Sequence, residues 1–388
     1  MYPKTMSGEE VAASEGERWS QRRETYTELR SSRLQLLVPI YLLWCPFIEL
    51  AFWSQRQIVH TSLLAVLAMA IISNMHKKNQ KSILQNTFAL TFFAYFIILA
   101  VTDLLRSLPI ERSTWSVYIV AILFVNSLKI GHLNQAFYNS YLRYIRINLR
   151  IVISFHIAIF FLSRGLYTNL SIIEINPIPL LALAVSLGFF CRDRLLVFLV
   201  IIALVCNYLF NPQSSHLFVF LPFIILPLFK MLRLKVLQMI LIVGALSFFA
   251  VSKQLLRNIL TFALQFTQEN VQIRIDMDSY AFRIIDTNPL IGGHLAAPLS
   301  FLIKRGSYTS LLPFHSDLLT WLVAGGAIGL FLFLANLVFT FYREATCAAH
   351  VVIIKSSQLA MICSLLAGTF NPLFPGYALL ICLAVSMV

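Results

Sequence analysis

Six residues with chemical potential stand in one polar interval of an otherwise oily chain: Arg274, Arg283, Gly292, Gly293, His294 and His315. Arginine presents a planar fork of donors that matches phosphate oxygens in pairs. Imidazole titrates near neutral pH and can take a proton from a hydroxyl. Paired glycines let backbone approach a ligand or another segment closely. Together these groups suit a phosphorylated donor and a hydroxyl acceptor. Each also has a plainer reading: Asn288–Gly293 is an ordinary turn, and His315 precedes Ser316 and Asp317, which cap a helix without it. Asp276-Met277-Asp278 imitates the D-x-D of metal-dependent transferases, but helix capping or pairing with Arg274 or Arg283 accounts for it better. No metal and no cofactor are expected.

The elements around this interval are apolar. The chain has 388 residues, 59% hydrophobic and 12% charged, where soluble domains carry about 25% charged residues. Its apolar residues fall in blocks near the ~20 that cross a bilayer as a helix. The fold class expected is therefore all-α: a polytopic integral membrane protein with about 12 transmembrane helices and one long periplasmic loop. The spans read as 34–53, 58–75, 84–102, 114–131, 149–165, 176–191, 194–210, 215–230, 236–252, 317–341, 356–370 and 373–388. The domains are a cytoplasmic tail 1–33, helices one to nine in 34–252, the long loop 253–316 with the candidate site, and helices ten to twelve in 317–388. No early apolar stretch marks a cleavable signal peptide, so 34–53 reads as a retained anchor.

Charge placement orients these spans. The net charge is +13, but the basic residues concentrate in short loops, which argues for topogenic charges and against nucleic acid. Alternating the loops puts 20 of the 30 basic residues inside, among them Arg143, Arg146, Arg150, Arg192 and Arg194. Only Arg56, Arg106, Arg112 and Arg164 fall in short outer loops. Both termini are then cytoplasmic and 253–316 faces outward. Its first part, Ser252–Phe266, has two readings: an amphipathic helix in the interface, or a continuation of the preceding span. The six cysteines lie in or beside apolar blocks without C-x-x-C spacing, which supports neither zinc nor a disulfide framework. Gly325, Gly326 and Gly329 suggest close helix packing.

Arg274, then "TNPLIGG", then "HSDLLTWLVAGGAIG" opening an apolar helix, resembles the pattern of the bacterial O-antigen polymerase and O-antigen ligase family. The resemblance implies metal-independent glycosyl transfer at the periplasmic face of the inner membrane, from an undecaprenyl-pyrophosphate-linked oligosaccharide. By that analogy Arg274 holds the pyrophosphate and His315 orients or deprotonates the acceptor hydroxyl. Arg283 is a secondary anion contact; His294, Gly292 and Gly293 line the donor. Partners implied are the lipid-linked glycan, membrane lipid and a polysaccharide chain-length regulator.

Two departures stand out. This chain has Gly292-Gly293-His294 where the family often has Gly-x-Gly, and "NPQSSH" with His216 where a Ser-Arg pair is common. Arg164, in "LSRGLY", is a candidate substitute phosphate contact, although the plainer role of a snorkelling interfacial residue accounts for it better. A polymerase and a ligase share donor and chemistry and differ in acceptor; the resemblance tilts toward polymerase. The competing class is a lipid-linked-oligosaccharide flippase. That would need polar groups lining a transmembrane path, for which only Glu49, Asp103 and His156 are available.

Overall fold

The computed structural model describes residues 43–44, 83–106, 135–166, 178–210, 268–293, 300–305, 308–313, 317–341 and 347–370. They form helices α1 (Ile83–Leu105), α2 (Gln135–Leu166), α3 (Ile178–Phe190), α4 (Arg194–Phe210) and α5 (Gln268–Thr287). Then come strands β1 (Ser300–Arg305) and β2 (Tyr308–Pro313), and helices α6 (Asp317–Phe341) and α7 (Ala348–Phe370). The expected helical class holds for everything described except the hairpin β1–β2. Its strands pair antiparallel from Ser300↔Pro313 to Arg305↔Tyr308, a departure from the strand-free loop expected at 253–316. Alternation of apolar residues in "SFLIKR" and "YTSLLP" is imperfect, but the two residues between the strands are Gly-Ser, a hairpin-turn dipeptide.

The helices fall into two packed groups. Around α3, whose residues 180 to 187 are all buried, pack α7, α4 and α2. Around α6 pack α1 and α5, and α6 also meets α7, which joins the groups. Burial on every side of residues 180 to 187 explains why α3 is almost uniformly apolar, "IPLLALAVSLGFF"; its one polar side chain, Ser186, donates back to Ala182 O at 2.7 Å.

Among the described residues no helix is long and apolar enough to cross a membrane. Three elements show why particular spans differ from expectation. Helix α3 has 13 residues, about 20 Å, short of the ~30 Å hydrocarbon core. Helix α2 is longer than the span 149–165: it has 32 residues and begins at Gln135, so Arg143, Arg146 and Arg150 lie on a helix rather than in a loop. The third is α6, which matches 317–341 in its bounds but is not one rod. Gly326 inside it has φ 61° and ψ −162°, a backbone conformation open to glycine almost alone. The rings of Trp321 and Phe333 stack at 4.5 Å across that point. A straight helix would separate those residues by about 18 Å along its axis, so α6 is sharply kinked at Gly326. Phe92 and Phe96 of α1 complete the cluster, at 5.5 Å and 5.4 Å from Trp321.

Spans 58–75, 114–131, 215–230, 236–252 and 373–388, the tail 1–33 and segment 252–266 lie outside the described residues, as does 34–53 apart from Leu43 and Trp44.

Candidate functional site: a turn seated in a broken helix

Helix α5 carries the first candidate arginine. Met277, Ala281 and Ile285 form its buried stripe, four residues apart, so they lie along one face. Helix α5 packs on α6. Position 274 is three residues before Met277 and falls within the arc of that stripe. Position 283 is nine residues further on, two and a half helical turns. Arg283 therefore stands on the opposite side of α5, about 13 Å along the axis from Arg274, and its side chain is exposed. Positions 274 and 283 thus fall on opposite sides of one helix.

The same geometry answers the D-x-D question. Neighbours two apart on a helix diverge by about 200°, so Asp276 and Asp278 cannot close on one ion from α5. Asp276 accepts a hydrogen bond from Gln272 Nε2 at 2.9 Å, one turn earlier. Among the described residues there is no group of three or more His, Cys, Asp or Glu side chains placed to hold a metal.

Helix α5 stops at Asn288-Pro289 because proline lacks the donor the ladder needs and its ring opposes helical geometry in the residue before it. Asn288 N–H still reaches Ile285 O at 3.0 Å, and Gly292 N–H returns to Asn288 O at 2.8 Å. Gly292 has φ 71°, so the turn closes through a conformation glycine adopts without strain.

This turn occupies the break in α6. In an unbroken helix Ala327 and Ile328 would donate to Val323 and Ala324. Instead Ala327 N–H donates to Pro289 O at 2.9 Å and Ile328 N–H to Leu290 O at 3.2 Å. Val323 O, released by the same break, accepts from Gly293 N–H at 2.7 Å. The turn thus replaces lost rungs of the helix ladder, answering the cost of leaving backbone groups unpaired in an apolar setting. A fourth bond comes from α1, where Tyr95 Oη–H donates to Gly325 O at 2.7 Å.

The fit leaves no room for side chains at its centre. A Cβ at Gly292 would come within 2.5 Å of Gly326 N and 2.6 Å of Val323 O. One at Gly326 would meet the Leu290 carbonyl. Gly325 and Gly329 instead face Phe96 of α1, where a Cβ would lie 3.0 Å and 3.3 Å from its Cζ. The close packing expected of this glycine patch is present, but it serves two partners: an aromatic ring and an inserted turn.

The remaining sequence candidates divide as follows. His294 directly follows Gly293, and His315 comes two residues before Asp317, where α6 begins; both lie outside the described residues. Arg164 is in the last turn of α2. Asp103 and His156, the mid-span polar candidates for a transport path, are buried to 0% and 2% exposure.

A second polar centre was not singled out as a site by the sequence. Asp193, in the turn between α3 and α4, caps α4 by accepting Leu196 N–H on Oδ1 at 3.2 Å. Its Oδ2 accepts Arg146 Nε at 2.9 Å, Arg146 Nη2 at 2.6 Å and Arg150 Nη2 at 2.6 Å. Burial pushes this carboxyl upward, but the bonds from Arg146, Arg150 and Leu196 outweigh it and hold it below the usual carboxylate range.

No protein-family model matches this chain, and no curated protein or solved structure matches it.

Proposed function

We propose that this protein is an inner-membrane glycosyltransferase that polymerises undecaprenyl-pyrophosphate-linked oligosaccharide repeat units, with its site at the turn–α6 junction on the periplasmic side. The observation that carries this reading is the junction itself. The two segments that resemble the O-antigen polymerase and ligase family, "TNPLIGG" and "AGGAIG", are hydrogen-bonded to each other through backbone atoms. Discontinuous helices inside membrane proteins occur where they are buried in protein or line a cavity, and their ends commonly surround substrate or ion sites. The stripes of exposed large apolar residues support the membrane setting: Ile97, Val101 and Leu104 on α1, and Leu195, Phe198 and Ile201 on α4. The full count of about 12 helices is part of this proposal, with α6 as a bent pair.

In this reaction Arg274, on the face of α5 that packs toward α6, holds the donor pyrophosphate. His315, just before α6, accepts the proton of the acceptor hydroxyl. The hydroxyl oxygen bonds to the anomeric carbon, the glycosidic C–O bond to pyrophosphate breaks, and undecaprenyl pyrophosphate leaves with the electron pair. His294, Gly292 and Gly293 shape the same pocket, and Arg164 contacts the glycan or phosphate from α2. A chain-length regulator is the protein partner proposed.

Purified protein in nanodiscs, supplied with the lipid-linked repeat unit and no lipid A–core, should build a ladder of longer lipid-linked glycans. EDTA should leave the ladder intact, and His315→Ala should abolish it. Transfer only after lipid A–core is added would make the protein a ligase. Failure under both conditions with intact donor would rule out the enzyme reading and favour a flippase.

A further inference from the structure

We propose that the face shared by α2 and α4 binds an acidic phospholipid, its phosphate at Arg143, Arg192 and Arg194 and its acyl chains along the adjoining apolar stripes. Arg143, Arg146 and Arg150 recur at helical spacing and lie within about 60° of arc on α2. Asp193 ties Arg146 and Arg150 to the α3–α4 turn, which brings its sequence neighbours Arg192 and Arg194 alongside the N-terminal half of α2. Helices α2, α3 and α4 with the α3–α4 turn contain one carboxylate, Asp193. Five arginines against that carboxylate leave a net charge of +4 around this turn. Arg143, Arg192 and Arg194 are exposed, so they are the ones open to a ligand.

Charge alone would attract any anion. The second observation is what adjoins it. Tyr144, Ile147 and Ile151 on α2 are 54%, 39% and 49% exposed. On α4, Leu195, Phe198, Ile201 and Val205 are similarly open and fall along one side of the helix. Both stripes begin at the level of the arginines, and α2 packs against α4. A molecule with an anionic head and two hydrocarbon tails satisfies both features; a free phosphate satisfies only the first. Basic residues at a membrane surface attract acidic lipids.

The inference rests on the membrane reading proposed above, and the test separates the two. Full-length protein in neutral detergent is titrated with phosphatidylglycerol or phosphatidylcholine, and bound lipid is counted by native mass spectrometry. Phosphatidylglycerol should be retained at about tenfold lower lipid concentration, and Arg143→Gln/Arg194→Gln should remove that preference. Inorganic phosphate at millimolar concentration should not displace the lipid. If the double variant does not fold, Asp193→Asn replaces it: it frees Arg146 and Arg150, keeps a capping side chain, and should increase phosphatidylglycerol retention. Equal retention of the two lipids, an unaltered preference in the variant, or displacement by phosphate overturns the inference while leaving the membrane reading intact. A protein that stays in solution without detergent overturns both.

Discussion

Two junctions of this structure solve the same problem by different means. At the α5–α6 junction four hydrogen bonds are made, and every acceptor is a backbone carbonyl; the only side chain among the partners is Tyr95. At the α3–α4 turn one carboxylate organises two guanidinium groups and a helix N-terminus. The first arrangement is neutral and depends on shape, since two glycines must stay glycines for the segments to meet. The second depends on charge, and the arginine side chains remain 29% and 33% exposed. A junction fixed by backbone geometry leaves nearby charged groups free to act on a ligand. A junction fixed by charge uses them up, except for the arginines that Asp193 does not reach.

That contrast predicts unequal sensitivities. Gly326→Ala should have the largest effect, destabilising the protein by about 3–5 kcal/mol through strained φ and the clash with Leu290. Gly329→Ala, whose Cβ meets only a movable ring at 3.3 Å, should cost about 1 kcal/mol or less. Denaturant unfolding of both variants in detergent gives the comparison; equal losses would mean that the turn is not what makes position 326 special.

Asp193→Ala comes next, at about 2–3 kcal/mol, because it removes a cap and leaves two arginines together without their counterion. Asp193→Asn should recover about 1 kcal/mol of that through capping. The pH dependence has a definite sign. A carboxyl whose folded pKa lies below its unfolded value of about 3.9 stabilises fully above that value. The contribution is lost as pH falls through the folded pKa. The stability gap between wild type and Asp193→Asn should thus be flat from about pH 8 to 5 and close below about pH 4. A gap that closes near neutral pH would contradict the assigned pairing. The smallest effect is expected for Tyr95→Phe, about 1 kcal/mol for a single neutral hydrogen bond to Gly325.

How far the sequence reached depended on whether a signal was local. Asn288-Pro289 and Gly292-Gly293 announced a turn, and Gly325, Gly326 and Gly329 announced close approach, because steric freedom belongs to the residue itself. That these two segments meet could not be read, since no local pattern records which backbone donor a freed carbonyl will find. Asp193 was invisible for a related reason. One acid between Arg192 and Arg194 reads as loop charge until α2 brings in Arg146 and Arg150 from more than forty residues away. Two features were within reach. Met277, Ala281 and Ile285 recur at helical spacing through a segment assigned only to the long periplasmic loop, and the Gly-Ser pair at 306–307 is a hairpin signal. The bend of α6 was harder, because an apolar run of 25 residues has the same hydropathy straight or broken.

Position 274 lies in the arc of α5 that packs toward α6 and position 283 on the opposite side. The proposed donor role of Arg274 requires the two arginines to differ in binding. The direct test is equilibrium binding of undecaprenyl pyrophosphate to purified protein, comparing Arg274→Ala with Arg283→Ala. The account predicts about a hundredfold loss of affinity for Arg274→Ala, as expected for a charged hydrogen-bond pair. Arg283→Ala should stay within about threefold of wild type, less than 1 kcal/mol. Equal losses in the two variants, or wild-type affinity in Arg274→Ala, would contradict it.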